Sequence, residues 1–73
     1  MADLYDEWQR PHVERAGEIG SELASIVESM NELIVDHLRT AVDQGVSGRP
    51  ALDKQLQSAR RSMEKAIRLL GGG

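Results

Sequence analysis

Apolar residues recur along this chain at alternating three- and four-residue steps, in two stretches separated by a glycine- and proline-containing break. The first seam is Ala16, Ile19, Leu23, Ile26, Met30, Leu33 and His37; the second is Leu52, Leu56, Ala59, Met63, Ala66 and Leu70. Such spacing keeps side chains on one face of a helix. Between the seams, the run Gly45-Val46-Ser47-Gly48-Arg49-Pro50 is unsuited to a helix interior. The pattern predicts an all-α antiparallel hairpin, with a long helix over about 11–44 and a short helix over about 50–70. No sustained period-two apolar run competes with it.

Punctuation sharpens the boundaries. Asp3 is placed to cap a first turn, and Asp6 and Glu7 suit a helix N-terminus. Pro11 fits the first turn of a helix, so either a new helix begins near Arg10 or a longer one kinks there. Residues 1–10 are therefore set apart as a separate or mobile turn. Gly17 and Gly20 each cost about 1 kcal/mol relative to Ala inside a helix. The seam nevertheless keeps its register across them, so the helix is expected to run through. Gly45 sits where a left-handed C-cap belongs, and Pro50 falls at the start of the second helix. The second helix should end at Leu70, leaving Gly71–Gly73 as a disordered tail.

A second apolar line, Val27, Ile34, Leu38 and Ala41, flanks the first seam. Seam and flank together make a stripe three residues wide per heptad, which suits a bundle better than a narrow two-stranded coil. Leu23, Ile26, Met30, Leu33, Leu56 and Met63 are expected to be the most buried residues. The helices, at ~1.5 Å per residue, would be about 50 Å and 31 Å long. In that hairpin Leu70 falls opposite about residue 24, so residues 4–20 overhang. Two readings follow. A second chain covers the overhang and completes a dimeric four-helix bundle, with Gly17 and Gly20 allowing its close approach, or residues 3–16 fold back to give a three-helix bundle. The first is preferred.

Composition supports the need for a partner. At 73 residues the chain is a single domain with a small core. With no cysteine, it has neither a disulfide framework nor a thiolate metal site, and a reducing compartment is suggested. The acidic N-terminus does not resemble a secretory leader, and no apolar run approaches a membrane span, so a cytoplasmic, membrane-free protein is expected. The net charge of −3 conceals a split. Residues 1–48 carry ten acids and three bases, a net of −7, whereas residues 49–73 carry six bases and two acids, a net of +4. An antiparallel hairpin sets these signs side by side.

Residues that could carry chemistry are few. His37 lies on the seam but has no Glu-x-x-His pair to make a metal site, and a partly solvated histidine near the loop is the simpler reading. Glu28, Glu32 and Asp36 form an acidic ridge without a second helix supplying carboxylates. Arg60 and Arg61, with Lys54, Lys65 and Arg68, could meet phosphates, but no aromatic is interleaved and the domain is acidic overall. No nucleophile–base pair, phosphate loop or zinc spacing appears, so no enzyme, cofactor or metal is expected. The aromatic end is different: Leu4, Tyr5 and Trp8 could anchor a partner, or Trp8 could cap the bundle. The candidate interaction residues are Leu4, Trp8, Val13, Ile19, Leu23, Ile26, Arg60 and Arg61.

From Leu23 to Leu70 the layout is a helix, a short Gly/Pro loop, then Leu52-x-x-x-Leu56 and a shorter helix ending in aliphatics. It is loosely similar to the helical hairpins of needle-subunit co-chaperones of type III secretion systems, and equally to small phage-encoded adaptors. The likeness is one of pattern and implies no role for any single residue. Together these readings point to a non-catalytic adaptor, assembly factor or small chaperone acting as a homodimer. The runner-up is a regulator that contacts nucleic acid through the second helix.

Overall fold

The computed structural model describes residues 6–48 and 50–71. A short 3-10 turn, Glu7–Gln9, leads into α1, Arg10–Asp43, which a loop joins to α2, Ala51–Leu70. The described residues contain no strand. The two helices pack antiparallel as a rod with extents of 57 × 16 × 15 Å.

The helix ends follow from local chemistry. The Asp6 N–H donates to Gln9 Oε1 (3.1 Å), and the Gln9 N–H donates to the Asp6 carbonyl (2.9 Å), closing the first turn. Pro11 is the second residue of α1, where an N–H would lack a helical acceptor in any case, and α1 begins at Arg10. At the other end Gly45 has φ +73°; its N–H donates to the Val42 carbonyl (3.0 Å), and the Val46 N–H donates to Ala41 (2.9 Å). This is the paired hydrogen-bond pattern of a Schellman C-cap, which needs a left-handed residue at Gly45. Pro50 is the extended N-cap of α2, and Gly71, at φ +76°, ends it.

α1 continues unbroken through Gly17 and Gly20, so residues 10–16 do not fold back as a third helix. The glycines serve α2 of the same chain. Gly20 is buried, and a Cβ on Gly17 would lie 4.0 Å from the Leu70 carbonyl oxygen. α2 therefore reaches past the expected residue 24 as far as Gly17, and the overhang shrinks to residues 6–16. The predicted cap at Asp3, Leu4, Tyr5 and the last two tail glycines lie outside the described residues.

The core corrects the expected one. Ile34 (4% exposed) and Ile67 (7%) are its buried apolar residues, whereas Ile26 and Leu33 are each 50% exposed. Leu23, Met30, Leu56 and Met63 are half-buried. Facing α2 are the lines Ala16, Leu23, Met30, His37 and Gly20, Val27, Ile34, Ala41; facing α1 are Asp53, Leu56, Arg60, Met63, Ile67 and Leu70. Each helix is thus rotated so that half of its predicted seam lies inside and half lies along an edge. The physical reason is width: a stripe three residues broad cannot be covered by one neighbour. The small residues Gly17, Gly20 and Ala24 let α2 settle toward one side of it. Each fully buried isoleucine contributes about 1.5–3 kcal/mol relative to exposure.

Candidate protein-interaction surface

The rotation gives the hairpin two unlike edges. Along a right-handed helix, successive residues advance about 100° in one sense, and an antiparallel neighbour advances in the opposite sense when seen from the same end. By that geometry Ile19, Ile26 and Leu33 of α1 emerge on the same edge as Leu52, Ala59 and Ala66 of α2. Ile19, Ile26, Leu33 and Leu52 are exposed there, and Leu23, Met30, Leu56 and Met63 floor the groove between them. On the outer flank of this edge α1 carries Arg15, Glu22 and Asp36, while α2 carries the uncharged Gln55 and Ser62.

The opposite edge carries the exposed Val35 and is tied together by polar contacts around Arg60. Arg60 Nη1 donates to Asn31 Oδ1 across the helices (2.9 Å), Nη2 donates to Gln57, and Nε lies 3.5 Å from Glu64 Oε1. Arg60, a candidate for external contact, is therefore used within the hairpin. Arg61 is exposed beyond this edge, on the same helical line as Lys54 and Arg68. The ion pairs of Arg15 with Glu18 and Glu22 (both 3.2 Å), Arg39 with Asp36 (3.7 Å) and Arg60 with Glu64 each join residues of one helix. The charge split between the helices is not resolved into these contacts. Hydrogen bonding to Glu22 and then Glu18 raises the Arg15 pKa above its ordinary value.

At the far end, where α2 stops short of α1, an open cavity of about 280 Å³ forms a notch. Trp8, Gln9, His12, Val13, Ala16, Leu69 and Leu70 line it. Trp8 is 70% exposed, with its indole N–H donating to Asp6 Oδ2 (3.2 Å), so it does not cap a closed bundle within one chain. Trp8 and Val13 thus border the notch, and Ile19, Leu23 and Ile26 belong to the open edge. Leu4 lies outside the described residues. Asp53 and Gln57, which an apolar search passes over, are interface residues; Asp53 is wholly buried in the first turn of α2.

His37 is half-buried, with Nδ1 enclosed and without a hydrogen-bond partner. Glu28, Glu32 and Asp36 are exposed. Among the described residues no three metal-ligating side chains converge, and no helix is long and apolar enough to cross a membrane. Compared with protein-family models, curated proteins and solved structures, the chain matches none.

Proposed function

We propose that this chain is a non-catalytic protein–protein interaction module, an adaptor, assembly factor or small chaperone, whose open apolar edge receives helices of a partner protein. One observation carries the reading: α1 exposes Ile19, Ile26 and Leu33, and α2 exposes Leu52, along the same edge, with half-buried aliphatics flooring the groove between the helices. Contiguous apolar surface of that kind on a small soluble domain marks an interaction site. Helical grooves of this form take amphipathic helices through residues at heptad spacing. A chain without cysteine suits a reducing, cytoplasmic setting.

Photo-crosslinking tests the reading. A photoreactive residue at Ile26 or Leu33 should yield covalent protein adducts in cells, and one at Val35, on the opposite edge of α1, should yield few. Absence of adducts at both open-edge positions would overturn it.

A regulator contacting nucleic acid through α2 is the second reading. Lys54, Arg61 and Arg68 recur at seven-residue spacing on one exposed line, which favours it. The engagement of Arg60 inside the hairpin weakens it. Retention on DNA or RNA that falls steeply with salt would support this alternative.

A further inference from the structure

We propose that the open edge is filled by a second copy of this chain, laid face to face with its rod reversed, so that the two α1 helices cross a two-fold axis near Ile26. The inference rests on the interaction reading above and names its partner.

Four observations converge on it. The side of a 57 × 16 Å rod projects about 900 Å², so a face-to-face pairing has room for the ~800 Å² per partner of a stable protein interface. The exposed residues are also self-complementary. Ile19 and Leu33 stand seven residues to either side of Ile26, so a two-fold axis there sets Ile19 against Leu33 of the second copy, twice. Charge follows the same symmetry. Arg15 and Asp36 lie on the flank of this edge, eleven residues before Ile26 and ten after it, and reversal brings each opposite the other.

Shape supplies the fourth argument. Reversing the rods places the loop end of one copy, with exposed Val46 and Leu52, at the notch bordered by Trp8 and Val13 of the other. Rods aligned in the same direction would instead put both notches at one end, each against the other copy's α1 and away from Val46 and Leu52. They would also set α1 against the uncharged Gln55 and Ser62 flank of α2, because Lys54, Arg61 and Arg68 lie toward the opposite edge.

The absence of native cysteine makes the test direct. Sedimentation equilibrium of the purified chain should show a dimer that dissociates on dilution. Ile26→Cys, at the axis, should form a disulfide-linked dimer on mild oxidation, while Val35→Cys should not. Arg15→Asp or Asp36→Arg alone should weaken the dimer about tenfold, and the pair together should restore it, with helicity followed by circular dichroism. A monomer at every concentration would overturn the proposal. If open-edge photo-adducts to a different protein persist, the interaction reading survives that result. A dimer linked through Val35→Cys and not Ile26→Cys would overturn the placement of the axis.

Discussion

The two edges of the hairpin solve the same problem in opposite ways. On one, Arg60 of α2 bonds Asn31 of α1 across the seam and is held in place by Gln57 and Glu64 of its own helix. On the other, Ile19, Ile26, Leu33 and Leu52 carry large aliphatic surface and no closure. Both edges border the same buried line through Ile34 and Ile67. On the polar edge the Arg60 guanidinium finds Asn31, Gln57 and Glu64 within the chain. The apolar edge is satisfied only by removing it from water, which a second helical surface can do and a two-helix hairpin cannot. On the function proposed above, fold and function divide by edge: one fixes the register of the hairpin, and the other offers the contact surface.

That division can be broken by substitution. The largest effect belongs to the shared core. Ile34→Ala should cost about 2–5 kcal/mol in denaturant unfolding, enough to unfold a chain of this size. Ile26→Ala, measured at concentrations dilute enough to exclude association, should cost less than half as much. Equal losses would mean that the open edge is part of the hairpin core.

The closed edge is next. Arg60→Ala removes the cross-helix hydrogen bond to Asn31 and should cost about 1 kcal/mol, whereas Arg61→Ala should stay within about 0.5 kcal/mol of the parent. A ranking in the reverse order would remove the polar edge as a stabilising device.

The glycines give the smallest effects, and their signs differ. Gly17→Ala should stabilise by about 0.5–1 kcal/mol, because the new Cβ meets the Leu70 carbonyl at an ordinary 4.0 Å and the helix gains propensity. Gly45→Ala should destabilise by about 1 kcal/mol, because φ is +73° at the C-cap. Thermal melts followed by circular dichroism separate the two. Destabilisation by Gly17→Ala would show that α2 approaches α1 more closely there than the 4.0 Å contact implies.

The hairpin itself was legible in the residues. Gly45, Pro50 and Leu70 marked their boundaries because capping is local chemistry and does not depend on the rest of the fold. The rotation of each helix was not legible. Val27 and Ile34 are as apolar as Ile26 and Leu33, and a three-line stripe does not say which two lines a single neighbour will cover. The interface also admits Asp53, Gln57 and Arg60, which no apolar periodicity contains. One signal pointed to the answer: Gly17, Gly20 and Ala24 gather on the side of α1 that α2 approaches, and Asn31 follows on the same line as Gly17 and Ala24. The open edge was foreshadowed in a different form, since the predicted seams of both helices retain half their members along it. A homodimer was expected from the overhang of α1 and not from this edge; the spacing along the edge does not itself choose a partner, because a surface that fits a copy of itself and one that fits another helix carry the same pattern.

The pairing of Arg60 with Asn31, and of Leu70 with Gly17, joins residues progressively farther apart in the chain as the rod runs away from its loop. Closure entropy grows with that separation, so the hairpin should zip from the capped turn at Gly45 and reach the Trp8 end last. Amide exchange should follow the reverse order, fastest at the notch and slower in the helical turns nearer the loop. A partner arriving at the notch would meet the end of the molecule that opens most often, and its binding would begin where the chain is least committed to itself.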